Sequence, residues 1–128
     1  MDGVLRELRA GCKTGHWIWF VFPQIFGLGY SELSRFYAIS SLDEARAYLA
    51  HPVLGPRLHD CAAAVHAVDG RTAEQIFGPV DAAKVRSCMT LFWRAAPDDA
   101  LFREVLKQHY GGKPDRRTDE LLGHSPGE

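Results

Sequence analysis

The stretch Lys13-Thr14-Gly15-His16-Trp17-Ile18-Trp19-Phe20-Val21-Phe22-Pro23-Gln24 decides how the rest of the chain is read. Two of the three Trp and two of the seven Phe fall within the six residues from Trp17 to Phe22, between a His and a Pro-Gln pair. Aromatics at this density either nucleate a core or wall a pocket. Their periodicity is ambiguous. Trp17, Trp19 and Val21 alternate as in a strand, whereas His16, Phe20 and Gln24 stack at i, i+4, i+8 as on a helix. No second convincing strand exists elsewhere to pair with the segment, and a lone strand leaves its backbone groups without partners. The segment therefore predicts a short helix ended near Pro23.

On either side, helical patterns alternate with strong punctuation. Val4, Leu5 and Leu8 stand at helical spacing before Gly11, and Gly27-Leu28-Gly29 marks a turn. Ser41-Leu42-Asp43-Glu44 reads as a capping box, with Leu42, Ala45, Tyr48 and Leu49 as the apolar stripe behind it. His51-Pro52 interrupts that helix. From Val53 another begins, with Leu54, Leu58, Cys61, Val65 and Val68 inward until Asp69-Gly70 stops it. Thr72 to Gln75 reads as a second capping box, opening a short helix that ends by Gly78-Pro79. Asp81 is expected to cap the next helix, whose stripe is Val85, Cys88, Met89, Phe92 and Ala96. Asp98 or Asp99 opens a helix with Leu101, Phe102, Val105, Leu106 and Tyr110 inward, stopped by Gly111-Gly112. A last short helix is expected from Arg116 to Leu122, followed by a frayed tail at 123–128. The reading is all-α: an irregular array of about six to eight short helices around one core, in a single domain spanning 1–128.

Composition narrows the function classes. The 128 residues carry 46% hydrophobic and 24% charged residues, ordinary for a globular domain with one core. Lys+Arg number 15 against Asp+Glu 16, so no global basic field supports nucleic-acid binding, and nucleic acid is disfavoured as a partner. The longest apolar run, Trp17 to Pro23, is far short of the roughly 20 residues that span a bilayer, which excludes a membrane-spanning role for it. The three Cys are far apart and outside metal-binding spacings, and an odd thiol would be left over in a disulfide scheme. With charged, amphipathic first residues in place of a secretory signal, reduced thiols and a cytoplasmic location are expected.

HWIWFVFPQ, YAISSLDEARAYLAHPVLGPRLHDC, the run from Ile76-Phe77-Gly78-Pro79 to Lys84, Ser87 and Met89-Thr90-Leu91-Phe92, and Tyr110-Gly111-Gly112 follow one another along the chain. In this order they resemble the bacterial domain-of-unknown-function family 1810, collinearly from about Leu5 to Leu122. The resemblance implies a mostly helical single domain and no particular activity. Three departures stand out. Family members usually begin with a further helix, whereas here Met1 enters just before the second, which implies an exposed apolar groove near the N-terminus. Val80-Asp81-Ala82-Ala83-Lys84 carries one carboxylate fewer than the family run. Trp93 stands where a small residue is commoner.

Several polar residues are candidates for chemistry. His16, beside Trp17 and three residues after Lys13, has the residue type of a general base near neutral pH; the competing account is a His that bonds a backbone carbonyl and locks the aromatic segment. Asp81, Lys84, Ser87 and Thr90 lie at i, i+3, i+6, i+9 along one drifting helix face. Lys84 and Ser87 form a Ser-Lys pair only if the ammonium is desolvated and within reach of the hydroxyl; otherwise these residues cap, solvate and buttress a helix crossing. Trp17 and Trp19 are candidate pocket walls and Gln24 a candidate ligand hydrogen-bonder, against core packing and the satisfaction of a neighbouring helix end. His59 and His66 are seven residues apart, about 10 Å along a helix, too far to share a metal, so no metal and no cofactor are expected. Two functional hypotheses result. One is a pocket near His16, Trp17, Gln24 and the Asp81 helix that binds or processes a small molecule or nucleotide. The other is a non-catalytic helical interaction module or homodimer, which a flat apolar patch near Val4 and Leu8 would favour.

Overall fold

The structure is a computed structural model that describes residues 2–28 and 32–123, apart from the side chains of Asp2, Leu33 and Ser34. Gly29 of the expected turn and residues 124–128 of the expected tail lie outside the described residues. The described residues form helices α1 (Asp2–Arg9), α2 (Ile18–Val21), α3 (Glu32–Tyr37), α4 (Leu42–Ala50), α5 (Leu54–His66), α6 (Ala73–Phe77), α7 (Pro79–Ala95), α8 (Ala100–Tyr110) and α9 (Arg116–Leu122). The all-α reading holds, with nine helices among the described residues. The added one is α3, whose Phe36 and Tyr37 are exposed. Exposed aromatics such as these mark no buried face for periodicity to detect.

The caps largely follow the sequence. Thr72 Oγ1 accepts from Gln75 N and the Gln75 side chain returns to Thr72 N, a complete capping box. Ser41 Oγ accepts from Glu44 N at 3.1 Å, but the Glu44 carboxylate reaches one residue further back, to the amide and hydroxyl of Ser40. Asp99 and Asp115 cap α8 and α9. Asp81 is not a cap. Helix α7 starts at Pro79 behind Gly78, whose φ of 80° turns the chain into the helix. Proline supplies a pre-set first residue, which places Asp81 in the first turn instead.

Helix α7 is the axis of the fold. Ala82, Val85, Ser87 to Phe92 and Ala95 are buried, and α4, α6, α8 and α9 all pack against it. Helix α5 forms the second layer, between α1, α4 and α8, with Leu58, Cys61 and Val65 buried and Leu54 and Val68 half-buried. Val4 and Leu8 are buried in the same core, so the apolar patch anticipated at α1 is absent at these residues. Helices α4 and α5 meet at Gly55, where an added Cβ would stand 2.0 Å from the Leu49 carbonyl oxygen.

Leu58→Ala is expected to cost about 2–5 kcal/mol in urea denaturation, as other large-to-small core changes do. Gly55→Ala, worth roughly 1 kcal/mol of stabilisation in an open helix, is expected to destabilise here, because backbone cannot yield as a flexible side chain would. A loss below about 1 kcal/mol for Leu58→Ala would contradict the central place of α5.

Candidate functional site

The loop between α1 and α2 is held from both sides. On one side, Glu7 Oε1 accepts from Thr14 N at 2.6 Å, Gly15 N at 2.8 Å and Trp17 Nε1 at 3.1 Å. The Gly15 amide, then the Thr14 amide, with a smaller contribution from the Trp17 indole, hold the Glu7 carboxyl down to about 2 against the opposing effect of burial. On the other side, Lys13 Nζ sits 2.7 Å from Asp81 Oδ2 and donates to Gly15 O at 2.6 Å, with its side chain only 7% exposed. The ammonium also lies over the Trp17 ring, 5.2 Å from its centroid. Asp81 Oδ1 is 3.7 Å from Lys84 Nζ, so one carboxylate faces two ammonium groups. A buried lysine needs such pairing, because the unpaired charge would be strongly destabilising.

The structure thus brings Trp17, Asp81 and Lys84 together through Lys13. His16 follows Gly15 in the same loop and is exposed. Trp17 is a core residue, packed on Phe22, which in turn packs edge-on against Phe77. Trp19 is half-buried, and its Nε1 is a buried donor without a partner among the described residues. Phe20 lies between Tyr37 and the Arg57 guanidinium, which donates to Phe20 O at 3.3 Å. Gln24 is half-buried; its main-chain oxygen accepts from Ile39 N at 2.8 Å in an isolated parallel bridge between Ile25 and Ile39.

Ser87 and Thr90 point to another part of the molecule. Both are buried. Ser87 Oγ is 2.8 Å from Thr118 Oγ1, while Thr90 Oγ1 donates to Arg86 O at 2.8 Å and accepts from Asp115 N at 2.7 Å. Beside them Arg94 grips Asp119 with two parallel bonds of 2.9 and 3.0 Å and stacks over Trp93 at 4.3 Å, which gives the unusual Trp93 a packing role. These groups fasten α9 to α7.

Cys61 and Cys88 are buried. Burial pushes the Cys61 thiol up to about 11 and the Cys88 thiol well above its ordinary value, so both are protonated and inert. No group of His, Cys, Asp and Glu among the described residues has the arrangement of a metal site. No helix among them is long and apolar enough to cross a membrane.

A groove of about 510 Å3 opens where the aromatic segment ends. Ile25 and Phe26 form one wall, Ser40 to Asp43 and Arg46 of the α4 start another, and Leu121 and Leu122 of α9 a third. Phe26 is 59% exposed at its rim. Arg46 donates Nε to Ala95 O and Nη1 to Asp43 Oδ1, which orients the guanidinium. Sequence reasoning did not bring these residues together. Phe26 stands two residues after the Pro-Gln pair, but Leu121 reaches the groove only through the docking of α9.

A helical array around a buried central helix, with a mixed polar and apolar groove at the end of the aromatic segment, defines a compact all-α domain class. The family described as "Protein of unknown function (DUF1810)" matches residues 1–122, and the chain belongs to that family. Among solved structures it is similar to the conserved hypothetical protein Rv1873 from Mycobacterium tuberculosis, with 55% identity and a TM-score of 0.94 over 97% of this chain and 89% of that one. No curated protein matches the chain.

Because the Glu7 carboxyl is held low in the folded protein, the stability it contributes is present above its ordinary value of 4.5 and is lost as pH falls toward about 2. Glu7→Gln should therefore lower the Tm at neutral pH, and the gap between variant and wild type should close across that window. A gap that stays constant down to the acid end would show that the clasp is not electrostatic.

Proposed function

We propose that the chain is a small-molecule-binding domain whose ligand occupies the groove formed by Phe26, the start of α4 and the end of α9. The observation that carries this reading is the groove itself. Its volume of about 510 Å3 falls within the span of ligand sites, roughly 300–1,000 Å3, and it combines an exposed aromatic ring with an oriented guanidinium and apolar side chains. Arg46 has commitments through Nε and Nη1 and, among the described residues, none through Nη2, so it has a donor to offer. A planar ligand with an acceptor group at one end fits such a lining. Binding is favoured over Ser-Lys catalysis because Ser87 is paired with Thr118 and Lys84 with Asp81. His16 and Lys84 are kept as candidate ligand contacts, because Asp81 ties Lys84 to the loop that carries His16.

The test is a thermal-shift screen of nucleotides and small aromatic acids. A ligand present at about 100 times its Kd adds roughly 2.7 kcal/mol of stability and raises the Tm accordingly. Phe26→Ala and Arg46→Met should each abolish the shift, while His16→Ala and Lys84→Met report on the other edge. A hit that survives both groove substitutions but not those of His16 and Lys84 would move the site to the α1–α2 loop. The second reading, a helical interaction module or homodimer, rests on the exposed Phe26 and Leu121. It predicts a dimer in light scattering that Phe26→Ala dissociates.

A further inference from the structure

A second concavity, of about 340 Å3, lies among α4, α5 and the junction of α7 and α8, lined by Leu49, Gly55, Pro56, His59, Ala96 and Asp99. Its frame is rigid for local reasons. At Gly55 the start of α5 meets the end of α4 with no space for a side chain between them. The first amides of α5 are already satisfied, because His51 Nδ1 accepts from Val53 N and Leu54 N at 3.1 Å each. Asp99 caps α8 through Oδ1, which accepts from Leu101 N at 3.1 Å. Its other oxygen, Oδ2, is left for His59 Nε2 at 3.3 Å.

This division of the Asp99 carboxylate sets the state of His59. A neutral imidazole facing a carboxylate through Nε2 carries its proton there, and Nδ1 becomes the lone-pair acceptor. The Phe102 ring meets the imidazole edge-on at 6.2 Å and 80°, which holds its plane. The lining therefore offers the His59 imidazole, one carboxylate, no lysine or arginine, and the apolar surfaces of Leu49, Pro56 and Ala96. An anion is disfavoured by Asp99. A metal ion would find one imidazole and one carboxylate and no third ligand among the described residues.

We infer that this concavity binds a small organic ammonium ion, with its N–H donated to His59 Nδ1, its charge balanced by Asp99 and its alkyl chain on Leu49, Pro56 and Ala96. The inference is independent of the groove at Phe26, which shares no lining residue with it.

The experiment is an amide NMR titration of the full chain at about pH 8, above the ordinary imidazole range, with n-butylammonium and, separately, with n-butanol. Butylammonium should shift the Gly55, Ala96 and Leu101 amides saturably and leave Phe26 and Leu121 unmoved. Butanol should bind at least about tenfold more weakly, the loss of one favourable charge interaction. Asp99→Asn keeps a good helix cap and removes the charge, so it should weaken butylammonium about tenfold while the remaining spectrum stays folded. His59→Phe should abolish binding. Equal affinity for butanol, an unaffected Asp99→Asn, or no saturable shift at these amides would each overturn the assignment.

Discussion

A helix buried on nearly every side cannot leave its polar groups to water, and this constraint on α7 organises the molecule. Several polar residues along it are matched by partners from other parts of the chain. Asp81 takes Lys13, Ser87 takes Thr118, Thr90 takes the Asp115 amide, and Arg94 takes Asp119. Arg86 reaches the carbonyls of Lys113 and Pro114. Unmet, any of these groups would cost more than an ordinary hydrogen bond returns. The pairs therefore specify which helices dock and at what height, beyond what apolar burial alone would decide.

This explains why the polar series on α7 looked like a site. Asp, Lys, Ser and Thr at successive turns are the residue types of catalysis, but they are also what a central helix needs in order to bind its neighbours. Spacing along one helix is visible in sequence; the partners are not, because Lys13, Asp115 and Thr118 lie far away in the chain. Ser87 and Thr90 are paired inside the fold, and the groove at Phe26 lies where helix ends and loops meet.

The fold was legible where its determinants are local. The Thr72–Gln75 box, the Asp99 cap, the stripe from Leu58 to Val65 and the short aromatic helix are set by residues within a few turns of one another. Legibility failed where neighbouring residues competed for one role or where segments distant in the chain meet. Pro79 and Gly78 displaced Asp81 from the cap position, Glu44 reached Ser40 instead of Ser41, and α3 formed with Phe36 and Tyr37 exposed. The groove was invisible for the same reason, since its walls come from three separate segments.

The pairing of Arg94 with Asp119 bears on the order of assembly during synthesis. The guanidinium stands in the last turn of α7, but its carboxylate partner is among the last residues of the family-matched region. Until α9 has been made, Arg94 lacks its carboxylate and Ser87 lacks the Thr118 hydroxyl. The core is therefore closed by α9, and a polypeptide cut before α9 would leave both groups without these partners.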